Sequence, residues 1–327
     1  MKRKPWGGFL LALALAVCLS LLPTTARADE THSHAVCGTT CPDAANHDGH
    51  GKAVDFQALA LSGLTKEGDE ESGYYYTVPA GRYYLSESIT LDAPLRVSGD
   101  TALCLNGYCI LSTTKTKSKP VIAINGGTLT LCDCNGSGSS YLLRHGLGSK
   151  KWYIVRSDGN ITVNGGLITH DDSDTVGRGV ELSDGAGFIM YGGTIAGNKS
   201  GQAGVGVYAP GGARFVMYGG AVVANVLSES STGAGVYTAG TTTIGGSASI
   251  YSNATISGGK GMGIYCAGGT LELKGSAGVK ENGADVNADR NTVINGGGVY
   301  VTGGAAVAVG GEAEISGNKA NQAGGKG

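Results

Sequence analysis

The chain has 327 residues, 24 basic and 26 acidic side chains, a net charge of −2 and 59 glycines. That balance excludes the electrostatic footprint of a nucleic-acid or anionic-membrane binder. Glycine at this frequency fits either a disordered chain or a repeat fold with many tight corners, and a fixed internal spacing separates the two.

Residues 1–28 read as a signal peptide. Lys2, Arg3 and Lys4 precede an apolar run from Phe9 to Leu22, and Ala26-Arg27-Ala28 offers a small-x-small cleavage site. The run is short of the roughly 20 apolar residues that usually span a bilayer, so no transmembrane segment is expected in the mature chain. Removing residues 1–28 takes away Lys2, Arg3, Lys4 and Arg27 and no acid, leaving 20 basic against 26 acidic residues and a charge of −6.

Residues 29–52 form a His/Cys-rich leader with His32, His34, Cys37, Cys41, His47 and His50. The spacing of Cys37, Cys41, His47 and His50 approaches a Cys2His2 set, and thiolates with imidazoles suit tetrahedral zinc. His32 and His34 with the same Cys pair are an equal alternative. The competing readings are a local Cys37–Cys41 disulfide and a solvated His-rich tail.

Residues 53–120 are expected to cap the following domain and to contain its first coil or coils. Cys104 and Cys109 flank the turn dipeptide Asn106-Gly107, which allows them to approach each other. Cys132 and Cys134, two apart, are expected on one strand face. Cys104, Cys132 and Cys266 read most simply as small buried core residues.

Residues 121–327 repeat. Apolar pairs recur at Leu129/Leu131, Ile161/Val163, Phe188/Met190, Phe215/Met217, Thr242/Ile244, Leu271/Leu273 and Val307/Val309, starting 32, 27, 27, 27, 29 and 36 residues apart. Val180, Val207, Val236, Ile264 and Val299 precede the last five pairs, and four of them are followed by Tyr208, Tyr237, Tyr265 and Tyr300. Asn198, Asn225, Asn253, Asn282 and Asn318 follow the pairs. Alternation of period two marks strands, and a fixed period of this size marks stacked units whose apolar faces are buried only by their neighbours. The pattern predicts an all-β, right-handed, single-stranded parallel β-helix of about seven coils, with the asparagines stacked as an amide ladder at a bend. The coil corners Asp171–Arg178, Val226–Gly235 and Asn282–Val299 are expected to carry loops.

Two acidic clusters are the candidate chemistry of these corners. His170, Asp171, Asp172 and Asp174 with Arg178 are the densest polar cluster, and paired carboxylates there would be the acid and base of a polysaccharide lyase or glycoside hydrolase, although a solvated turn accounts for them as well. Asp285, Asn287 and Asp289 have the oxygen spacing of a calcium loop, but Arg290 stands where such loops want Gly.

Gly81-Arg82-Tyr83-Tyr84-Leu85-Ser86, Leu103-Cys104-Leu105-Asn106-Gly107, Leu129-Thr130-Leu131-Cys132-Asp133-Cys134 and Ile315-Ser316-Gly317-Asn318, with the Gly-Gly-Val-Tyr segments, resemble bacterial adhesin-like surface proteins with β-helix repeats. The repeat is similar to that of polymorphic outer-membrane proteins. The resemblance covers about residues 75–327 and the leader. It implies export, surface display and binding of host or microbial glycans or surface proteins, and it carries no shared catalytic residues. The expected function is a non-enzymatic scaffold, the alternative an enzyme of the pectate-lyase-like β-helix type, with its pectin lyase-like fold. The chain stops at Gly327 where another Val-Tyr strand is expected, so a missing C-terminal segment or a partner on that edge is anticipated.

Overall fold

The computed structural model describes residues 32–37, 41, 50–114, 118–144, 160–171, 176–284 and 293–320. The chain divides into two compact units, residues 1–32 and 33–327. Only His32 of the first is described. The signal-peptide reading of residues 1–28 therefore lies outside the described residues, as do His47, Asp172, Asp174, Asp285, Asn287 and Asp289.

The second unit is a parallel β-helix. Eight coils are described, from Tyr75–Val78, Gly81–Tyr84 and Ile89–Leu91 in the first to Val299–Val301, Ala306–Val309 and Glu314–Ser316 in the eighth. Each coil gives one strand to each of three sheets. Sheet I carries the Val-Tyr strands, sheet II the apolar pairs and sheet III the strands that lead into the asparagines. Residues 75–112 form the first two of these windings.

Register is kept from coil to coil. Phe188 pairs with Phe215, Phe215 with Thr242, Thr242 with Leu271 and Leu271 with Val307. The rings of Phe188 and Phe215 stack at 5.4 Å. Both are fully buried in one core with Leu129, Leu131, Ile195, Val222 and Ile250. Parallel pairing sets identical positions about 4.8 Å apart along the axis, so each apolar residue shields the next.

The asparagines form the ladder. Asn198 Nδ2 donates to Asn225 Oδ1 at 2.9 Å, Asn225 Nδ2 to Asn253 Oδ1 at 3.0 Å, Asn253 Nδ2 to Asn282 Oδ1 at 3.0 Å and Asn282 Nδ2 to Asn318 Oδ1 at 2.9 Å. Each of those acceptors also takes the backbone N–H of the preceding asparagine. A column of glycines packs against the amides. A Cβ on Gly235 would lie 2.5 Å from the Gly263 carbonyl oxygen and 2.9 Å from Asn253 Nδ2, and Gly206, Gly263 and Gly298 are equally confined. The Gly of each Gly-Val-Tyr segment is thus required by the asparagine of the same coil, because no side chain fits between the ladder and the next winding.

Two expectations are corrected. Ile161 and Val163 are not a rung. Leu129 pairs directly with Phe188. Asn160–Asn164 instead pairs antiparallel with Ser140–Arg144, and its Ile161 and Val163 cover Cys109, Leu167, Ala196 and Val223 on the outer side of sheet III. Alternation alone reports a strand with two unlike faces, and an external pair has those as well as a rung does. Nor is Val226–Gly235 an irregular loop. Val226–Leu227 stacks in parallel between Lys199–Ser200 and Ala254–Thr255, and Ser231–Thr232 on Gly259–Lys260. Val205, Leu227, Ala234, Met262 and Ile294 give this corner a core of its own.

Candidate metal centre and aromatic flank

The leader and the strand Ala53–Ala58 that follows it lie along the edge and outer face of sheet II. Ala53–Ala58 pairs in parallel with Gly81–Tyr84. Along the coil strands Leu103, Leu129 and Leu131 point inward. The alternate residues Ala102, Cys104 and Cys132 meet Val36, Val54 and Phe56 in a separate outer cluster. Cys104 and Cys132 are buried as expected, but beneath the leader rather than in the main core.

Within this leader Cys37, Cys41 and His50 each place a ligand atom within 4.8 Å of the others. Cys37 Sγ is 3.5 Å from His50 Nδ1, and the Gly51 N–H donates to the same sulfur at 3.5 Å. Burial first, and then the thiols of Cys41 and Cys37, push the Tyr191 phenol's pKa up, which sets this trio beside the fourth coil. Two thiols and an imidazole at this separation fit three positions of a tetrahedral zinc site. They are three of the four residues whose spacing suggested one. The fourth, His47, is outside the described residues.

Cys266 is buried in the main core as expected, whereas Cys104, Cys109 and Cys134 pair differently from expectation. Cys104 approaches Cys134, with their sulfurs 3.5 Å apart, rather than Cys109, whose thiol burial drives its pKa up to about 12. Cys134 lies beyond the strand Thr128–Cys132 and does not share a strand face with Cys132. Hydrogen bonding with Cys132, with burial adding to it, pushes the Cys104 thiol up to about 12.

The acidic corner resolves in part. Extending the pairing of Leu167 with Thr194 sets Asp171 opposite Asn198, as the repeat implies. The ladder contact there, however, is made by the neighbouring His170. Its Nδ1 lies 2.9 Å from Asn198 Oδ1 and its Nε2 3.2 Å from the Lys119 carbonyl oxygen. Burial lowers the His170 pKa against the opposing effect of those two contacts. Arg178 is engaged on three sides. Its guanidinium donates from Nη1 to Glu181 at 2.7 Å and from Nε to the Ala203 carbonyl at 2.8 Å, and it stacks 4.2 Å from the Tyr208 ring centre.

From Arg178 onward the outer face of sheet I is aromatic. Tyr208, Tyr237, Tyr265 and Tyr300 are paired in register. Their rings stack at 4.9, 5.6 and 5.6 Å, and all four are half-buried. Stacking uses the ring faces, so the flank presents ring edges and a row of hydroxyls at the coil spacing. N-terminal to the row, Arg96, Ala123, Lys119, Arg178 and Glu181 line a groove of about 280 Å³. Sequence spacing located the tyrosines but not this groove, whose walls come from four different windings.

No family model matches the chain, and neither a curated protein nor a solved structure is similar to it. Among the described residues no helix is long and apolar enough to cross a membrane.

Proposed function

We propose that the protein is an exported, non-enzymatic cell-surface scaffold of adhesin-like type, which binds glycan or protein ligands along its sheet I flank. The observation that carries this reading is the register-locked row Tyr208, Tyr237, Tyr265 and Tyr300, continued by Arg178 and the cationic groove. Tyrosine combines apolar area with a polar tip at low entropic cost, which suits a binding face. A repeating ligand meets identical groups at identical steps on such a surface. The groove carboxylate supports binding over bond cleavage, since Glu181 is held by Arg178 at 2.7 Å. General acid–base catalysis instead needs a carboxyl group within reach of the substrate proton.

A glycan array of the exported protein, run beside assays for reducing-end release from pectin and mucin, tests the proposal. Binding without cleavage, lost on replacing Tyr237 and Tyr265 with alanine, is the expected result. Calcium-dependent cleavage by the intact chain would establish the enzyme reading instead.

A further inference from the structure

A second cluster of donors stands apart from the Cys37, Cys41 and His50 trio. His34 Nδ1 or Nε2, Cys104 Sγ and Cys134 Sγ lie within 4.8 Å of one another. They come from the leader, the second winding and the segment after the third winding's sheet II strand, so only the folded chain assembles them.

The donors are held in place by neighbours. The His34 ring stacks on Phe56 at 4.4 Å, and its Nδ1 is 2.9 Å from the Ala35 carbonyl oxygen. Donation from Nδ1–H to that carbonyl leaves Nε2 as the basic nitrogen, the usual second contact of a metal-bound histidine. Cys104 is fixed by strand pairing with Tyr84 and Cys132. Cys134 follows Asp133, whose carboxylate accepts the backbone N–H of Gly107 and of Gly166, each at 2.7 Å. That carboxylate ties two windings together and fixes the turn that delivers the sulfur.

We propose that His34, Cys104 and Cys134 bind a zinc-class divalent cation that fastens the leader to the outer face of sheet II. Two thiolates and an imidazole are a soft donor set that suits three positions of tetrahedral zinc. Binding releases the two thiol protons, so uptake strengthens as pH rises.

The test uses the exported full chain carrying Cys37→Ser and Cys41→Ser, which removes the other thiol pair, titrated with cobalt(II) under reducing conditions. The expected result is one equivalent of tetrahedral cobalt with thiolate charge-transfer absorption, displaced by zinc. Cys134→Ser abolishes that absorption, His34→Ala weakens binding at least tenfold, and zinc protects the leader from proteolysis. Cys134 is exposed, so its serine variant retains the β-helix, which far-UV circular dichroism verifies. Cobalt binding without charge-transfer absorption, binding indifferent to Cys134→Ser, or a Cys104–Cys134 disulfide as the sole state of the purified protein would overturn the proposal.

Discussion

Replacing Asn225 with alanine probes the amide ladder at its most enclosed point. Asn225 is fully buried. Its Nδ2 donates to the carbonyls of Ile195 at 3.1 Å and Val223 at 3.2 Å and to Asn253 Oδ1 at 3.0 Å. Its Oδ1 accepts the Asn198 backbone N–H at 3.1 Å and Asn198 Nδ2 at 2.9 Å. Alanine leaves the Asn198 N–H buried without its acceptor, a penalty of about 1–3 kcal/mol. The vacated side-chain volume and the weakened carbonyl contacts bring the expected loss to about 3 kcal/mol. Urea unfolding followed by circular dichroism measures it, with exposed Thr241→Ala as the control. An aspartate at 225 keeps the acceptor but turns an oxygen toward two carbonyls. Its folded-state pKa is raised, the native state holds the extra proton, and stability falls as pH climbs past the ordinary carboxylate value. A loss for Asn225→Ala within about 0.5 kcal/mol of the control, the range of ordinary surface changes, would refute the ladder as a stabilising element.

Gly235→Ala forces a Cβ to 2.5 Å from the Gly263 carbonyl and should cost about 1–3 kcal/mol by overpacking, whereas Gly211→Ala, with open space around it, should cost little in the same melt. His170 has a lowered pKa in the fold because it is buried. The unfolded chain therefore binds the proton first, and stability should hold above the ordinary value of 6.5 and decline as pH falls below it. His170→Gln should flatten that decline, and urea midpoints across the pH range measure both proteins. Tyr237→Phe removes one hydroxyl and keeps both ring contacts, so it should leave the melting temperature unchanged while weakening ligand binding. Tyr237→Ala should cost about 0.5–1.5 kcal/mol for each lost aromatic contact, read by thermal unfolding.

The rungs were legible because burial imposes period two on each strand and stacking imposes one period on all of them. Phe188, Phe215 and Leu271 fall in one column for that reason, and the five asparagines could be aligned by offset alone. Ile161 and Val163 misled because an external strand pair buries one face as a rung does. The pairing of Cys104 with Cys134 was hidden by distance along the chain, since proximity across windings depends on a register that only the fold supplies. The ladder contact of His170 is hidden for a different reason. Asp171 holds the ladder position, while the longer imidazole one residue earlier reaches Asn198 first. The zinc reading of the leader rested on local spacing, which located Cys37, Cys41 and His50 but gave no hint that the leader would fold back over Cys104 and Cys132.

The antiparallel pair between Ser140 and Asn164 leaves the pairing of Leu129 with Phe188 undisturbed. Chain can therefore be spliced in at that bend without retuning the windings above and below it, since the stack recognises hydrogen-bonding partners and is indifferent to the count of residues between them. A foreign peptide grafted there would be carried sideways on a stiff rod, at a fixed height along its length.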